Sequence, residues 1–198
     1  FCPQNAATDL PRRCRHGLSR ISALPGGRLF KILCIQGHTC VKTHKKAHWI
    51  TDSSGIIYLH HQNLLDSLFS CVQCYTTLAV KNELCRKPDG IETYFDNTLI
   101  HVLPDTDIPF YNRNMSPADR GLIALAMEKS YPLLSDDREI CLFCDTNRIP
   151  FYNSLTAVVF LHEKGVIELD VAYEKIHHLA KAGRYSKKIV QYALSLLP

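Results

Sequence analysis

Long apolar runs are missing from this sequence of 198 residues. The longest, "LIALAM" at 122–127 and "AVVFL" at 157–161, fall well short of the ~20 apolar residues that a bilayer-crossing helix needs. No charged-then-apolar leader is present, so no secretory signal is expected. Internal repeats and low-complexity tracts are also absent, which sets repeat architectures aside. Acids are scarce at one end: residues 1–48 hold nine Lys/Arg and a single acid, Asp9, leaving 14 basic and 18 acidic residues for the rest. The net charge of +4 therefore conceals a basic arm before a mildly acidic body. Such an arm either approaches a polyanion such as nucleic acid or is a solvated tail. Cysteine is plentiful, but nine is an odd number and disulfide-held secreted domains are usually shorter, so free thiols in a reducing cytoplasm are expected.

At 46% hydrophobic and 21% charged, the chain has the composition of a globular protein with a sizeable core. Regular patterning begins at His48. "HWIT" reads as a strand ending at Asp52, and a helical pattern follows over 54–69 with Ile57, Leu64, Leu65 and Leu68 apolar. "CVQCY" at 71–75 reads as a strand. Thr76 or Thr77 caps the next helix, "LAVKNELCRK", which stops at Pro88 and Gly90. "TLIHVL", "YPLL" and "IPFYN" read as three further strands. "SPAD" at 116–119 opens a helix with Ser at the cap, Pro in the first turn and an acid three residues on. Ser154, Asp170 and Ser186 are expected to cap the last three helices, with Gly165 and Gly183 at helix C-termini. Strands alternating with helices imply an α/β fold with a mostly parallel sheet of about five strands and helices on its faces.

Ligands of an open parallel sheet bind outside the carboxyl ends of its strands. Asp52 follows the first strand, and the adjacent Asp136 and Asp137 follow "YPLL". Asp119 lies in a first helical turn, three and four residues before Leu122 and Ile123, and Glu83 lies three and four residues after Val80 and Ala79. Each acid has a bland reading as a cap, a turn former or a solvated helix residue. Together, Asp52, Glu83, Asp119 and Asp137 are placed to converge, and clustered carboxylates suit a hard cation such as Mg²⁺ or Mn²⁺.

The stretches "WITDSSGIIYL" at 49–59, "LAVKNEL" at 78–84, "SPADRGLIALAME" at 116–128 and "LLSDDREI" at 133–140 resemble the PIN-domain family of metal-dependent ribonucleases. "RIPFYNSLTAVVFLHEKGVI" at 148–167 is similar to that family's last core strand and helix. "LAKAGRYSKKIVQYAL" at 179–194 resembles the C-terminal extension of a prokaryotic branch close to VapC-type toxins. The resemblance implies a three-layer α/β/α fold divided into a basic arm at 1–47, a catalytic core at 48–168 and a helical extension at 169–198. It also implies metal ligation and catalysis by Asp52, Glu83, Asp119 and Asp137, with Asp136 assisting the metal. Ser53 and Ser54 would steady a ligating carboxylate and Arg138 would touch an RNA phosphate. The implied partners are an RNA substrate, an antitoxin protein if the chain is one half of a toxin–antitoxin pair, and a second copy in a homodimer; no membrane is expected. The competing expectation is a catalytically silent PIN-like module that binds RNA or protein through its arm.

Two CxxC pairs, Cys71/Cys74 and Cys141/Cys144, have a zinc-like spacing but read as buried thiols, since strand alternation separates the first pair and the second sits near a core face. The arm offers Cys2, Cys14, His16, Cys34, His38, Cys40 and His44, followed by His48 at the start of the first strand. These ligand types suit structural zinc, although the spacing matches no zinc finger.

Overall fold

Short apolar runs and capped helices alternate along the chain in the computed structural model, which describes residues 45–86, 90–104, 115–183 and 185–198. Strand β1 (Ala47–Thr51) leads into α1 (Ser53–His61), α2 (Leu65–Cys71), β2 (Val72–Thr77), α3 (Leu78–Leu84), α4 (Glu92–Asp96) and β3 (Ile100–Leu103). There follow α5 (Pro117–Lys129), β4 (Leu133–Leu134), α6 (Arg138–Asn147), β5 (Phe151–Tyr152), α7 (Ser154–Glu163), α8 (Leu169–Ala182) and α9 (Lys187–Ser195). The strands form one all-parallel sheet in the order β3-β2-β1-β4-β5, flanked by helices. The expected α/β fold of about five strands is therefore what the chain adopts.

A central parallel strand has helices over both faces and must be apolar on both. β1 meets this with adjacent Trp49 and Ile50, both buried. The Trp49 ring stacks on Tyr152 at 4.2 Å between centroids and tilts against Phe160 of α7. In register, Ile50 lies opposite Tyr75 of β2 and Leu133 of β4. The core continues through Leu122, Ile123 and Leu125 of α5 and Val158 and Leu161 of α7 into Ala172, Ile176, Leu179 and Ala193 of α8 and α9. The last two helices thus share the core of the sheet.

Several local expectations shift. The pattern read as one helix over 54–69 breaks at Asn63, which adopts φ 55°, a conformation asparagine tolerates, and gives two helices. Cys71 ends α2 and only Cys74 lies in β2, so the first CxxC pair straddles a helix–strand junction. Thr77 caps α3, while Thr76 Oγ donates to Thr51 O across the sheet at 2.7 Å. Asn153, not Ser154, caps α7 in a capping box with Thr156, and Glu168 stands at the cap of α8 in place of Asp170. Gly165 has the left-handed φ of 67°, but Gly183 is extended. Ser116 and Asp119 form the expected capping box, and Ser186 caps α9. Of the arm, residues 1–44 lie outside the described residues. The expectations of an irregular or zinc-holding arm, with Cys2, Cys14, His16, Cys34, His38, Cys40 and His44, fall there.

Helix α1 approaches β4 closely enough to demand glycine. A Cβ at Gly55 would stand 2.7 Å from Leu134 Cγ and 3.2 Å from the Leu134 carbonyl oxygen. Leu134 is fully buried and has no room to retreat. Gly121, on α5, meets nothing within 4 Å. The two helical glycines should therefore respond oppositely to alanine. Gly121→Ala is expected to stabilise by up to ~1 kcal/mol through helix propensity. Gly55→Ala is expected to destabilise by about 1–2 kcal/mol net, overpacking outweighing that gain. Urea midpoints of the two variants check this.

Candidate carboxylate site

The order β3-β2-β1-β4-β5 reverses direction between β1 and β4, and the crevice outside such a switch point is where open α/β sheets bind ligands. The chain delivers Asp52 from β1 and Ser135, Asp136 and Asp137 from β4 to this point. Asp52 N–H still donates to Leu134 O at 2.9 Å, so the ladder runs to the very edge.

Asp52 is only 5% exposed. It is the N-cap of α1, and its Oδ1 accepts from Ser53 N–H at 2.7 Å. Its Oδ2 accepts from Ser54 Oγ at 2.6 Å and from Ser135 Oγ at 2.8 Å. Burial pushes its proton affinity above the ordinary carboxylate range; the bonds from Ser54, Ser135 and Ser53 oppose that shift, and the charge of Asp119 adds to it. Both serines after Asp52 thus bond its carboxylate, Ser53 through its backbone N–H and, at 3.4 Å, its hydroxyl, and Ser54 through its hydroxyl.

Asp119 is half-buried on α5, which packs on β1. Its Oδ2 accepts from Ser116 N–H at 3.1 Å. Asp137 is exposed and caps α6, with Oδ1 accepting from Glu139 N–H at 2.8 Å and Ile140 N–H at 3.1 Å. Its own N–H donates to Ser135 Oγ at 3.1 Å, which ties it to Asp52 through one hydroxyl. Arg138, the first residue of α6, is exposed beside it.

The other acids stand differently. Asp136 turns its carboxylate away from Asp52. Its Oδ1 accepts from Ser154 N–H at 3.0 Å and from Tyr185 OH, and its Oδ2 accepts from Ser154 Oγ. Its backbone N–H donates to Ser54 Oγ at 2.9 Å. Glu83 is exposed on α3 and enters none of the described interactions of Asp52, Asp119, Asp136 or Asp137.

Three site groups escaped the sequence reading. Ser135 was visible as the residue between strand and acid pair, mirroring the serines after Asp52. Tyr185 is 49 positions from Asp136 and gave no local signal. Cys141 donates its thiol to Ser135 O at 3.2 Å; burial, then the charges of Asp136, Cys144, Asp137 and Asp52, push that thiol up. This cysteine registers the negative field that the edge carries. Cys71, Cys74, Cys141 and Cys144 are all free thiols.

Among the described residues, no three His, Cys, Asp or Glu side chains are grouped so as to hold a metal ion. The donor chemistry does fit a hard divalent cation. A carboxylate raised in proton affinity first by burial and then by the charge of Asp119, and oriented by hydroxyls, is the kind of oxygen such an ion takes.

No curated protein matches the chain. A family model described as a PIN domain matches residues 48–197, the whole of the sheet and the helices after it. With the parallel sheet and its switch-point acids, that match shows that the chain belongs to the PIN-domain family.

Proposed function

We propose that the protein is a Mg²⁺- or Mn²⁺-dependent endoribonuclease that cleaves phosphodiester bonds of single-stranded RNA. The observation that carries this reading is Asp52: a carboxylate buried at the switch point, both oxygens fixed by four donors, with a proton affinity raised by burial and, to a smaller degree, by the charge of Asp119. Asp52, Asp119 and Asp137, which are not grouped so as to hold an ion as they stand, would be drawn together on it, and Glu83 would join them from its exposed place on α3. A bound divalent ion supplies charge neutralisation at the scissile phosphate and polarises its oxygens. The chain's own part is orientation. Ser54 and Ser135 fix Asp52, the helix caps fix Asp119 and Asp137, and Arg138 stands at the rim to meet a phosphate. A toxin role with an antitoxin partner, a VapC-like lineage and homodimer formation extend this proposal. The competing reading is a catalytically silent RNA- or protein-binding module.

Asp137→Asn separates the two readings cleanly. Asparagine caps helices about as well as aspartate, so α6 should persist and the circular dichroism spectrum should not change. Cleavage of single-stranded RNA in Mn²⁺ should fall to background. Cleavage at the wild-type rate by the purified variant would remove Asp137 from the reaction.

Without metal, the site should cost stability in a pH-dependent way. Asp52 binds its proton more tightly folded than unfolded, because burial disfavours the charge. The folded state then holds more protons between the ordinary carboxylate range and the raised folded value, so stability falls as pH rises through that window. Asp52→Asn has no such charge, and the Ser54 and Ser135 hydroxyls are free to rotate and accept from its amide. Its metal-free melting temperature should exceed wild type at pH 8, by about 2–4 °C per kcal/mol relieved, and the gap should close toward pH 4. A gap of the same size at both pH values would show that charge burial is not the cause.

A further inference from the structure

We infer that Tyr185, in the connection between α8 and α9, is a positioning residue for the carboxylate site, acting through Asp136. This rests on the reading of that site as a cation site and adds a residue to it. The connection is a continuous chain of hydrogen bonds. Tyr185 OH and both donors of Ser154, its N–H and its Oγ, hold the Asp136 carboxylate. With its side chain held, Asp136 aims its backbone N–H at Ser54 Oγ, 2.9 Å away. Ser54 Oγ in turn donates to Asp52 Oδ2 at 2.6 Å. On the other flank, Ser135 Oγ donates to Asp52 and accepts from Asp137 N–H, at 2.8 and 3.1 Å. The turn Ser135–Asp137 is thus held between Asp52 on one side and Tyr185 and Ser154 on the other.

A second, independent feature shows that the phenol is placed. A Cβ at Gly183 would stand 2.3 Å from Tyr185 Cε2 and 2.7 Å from Cδ2, so the ring lies across bare backbone that only glycine leaves open. The ring also lies near Tyr58 of α1, tilted at 48° and 6.3 Å between centroids. Tyr185 therefore bridges the last two helices to the first helix and to the acid turn. The phenol hydroxyl donates, as a neutral Tyr does, and Asp136 has no need to face a cation to be satisfied.

The test uses the full chain, metal-free, and the backbone amide resonances of Ser53, Asp136 and Asp137, which donate into the site. Tyr185→Phe keeps the ring and removes the hydroxyl. Tyr173→Phe is the control, because its hydroxyl donates to Pro198 O within the same pair of helices and touches no acid. Tyr185→Phe is expected to shift all three amides, and Tyr173→Phe none. Titration with Mn²⁺ alone, followed by broadening of the same amides, is expected to show weaker binding in Tyr185→Phe, by at most the ~10-fold that marks the low end for a partner bonded directly to a ligand, because three hydrogen bonds separate Tyr185 from Asp52. Gly183→Ala should reproduce both effects by displacing the ring. Unmoved amides in Tyr185→Phe, equal shifts in both phenylalanine variants, or an unchanged Mn²⁺ midpoint would each overturn the inference. If wild type shows no Mn²⁺ broadening at all, the cation reading fails, and the amide shifts alone decide whether Tyr185 positions the turn.

Discussion

A carboxylate with almost no access to water at the end of the central strand is the constraint around which the rest of the edge is arranged. Asp52 loses most of its hydration on folding, and an unpaired buried charge is costly unless donors replace the water. Four donors do so: the N–H and hydroxyl of Ser53 and the hydroxyl of Ser54 from the start of α1, and the hydroxyl of Ser135 from the end of β4, which must lie close for its bond to form. The same proximity brings Gly55 against Leu134, where a methyl group does not fit. The close approach of α1 to β4 and the satisfaction of Asp52 are therefore one geometric requirement seen from two sides.

Capping and ligation are not competing roles for these acids. Asp52, Asp119 and Asp137 each accept from backbone N–H groups at a helix start, and those bonds fix the side-chain rotamers. A ligand whose rotamer is already fixed loses little entropy on binding an ion. Asp136 also accepts from a backbone N–H at a helix start, that of Ser154 on α7, but its other partners are Ser154 Oγ and Tyr185 OH rather than groups around Asp52. Of two adjacent, chemically identical residues, one faces the crevice edge as a helix cap and the other is a structural anchor. Burial raises the proton affinity of that anchor too, against the bonds from Ser154 and Tyr185.

The fold was legible because each strand and most caps carry local signals. Ser116 with Pro117 and Asp119, Thr77 and Ser186 read correctly, and a parallel sheet then forces every helix that follows a strand to begin at one edge. Placing Asp52, Asp119 and Asp137 there needed nothing more. Glu83 stands differently from these three. On α3 the buried residues are Val80 and Leu84, four apart. At 100° per residue, Glu83 lies well to one side of their shared direction and reaches solvent. The partners of Asp136 were illegible for a different reason. Ser154 looked like a cap, but Asn153 took that role and released the serine hydroxyl. Tyr185 sits in a short connection whose position depends on how α8 and α9 pack on α7, which no local pattern encodes.

Helix geometry also explains why the edge tolerates so many acids yet keeps Asp52 reluctant to ionise. Helices α1, α5, α6 and α7 all begin there, at Asp52, Ser116, Asp137 and Asn153. Each N-terminus presents partial positive charge, worth about 0.3–1 kcal/mol to a nearby anion at an exposed position. Asp137 is exposed and caps its own helix. For Asp52 that contribution does not suffice, because burial has removed the solvent that would share the charge, and Asp119 adds repulsion. Helix dipoles and hydroxyls orient the central carboxylate without neutralising it. Full neutralisation requires either a proton or a cation, and the two would compete for the same oxygens.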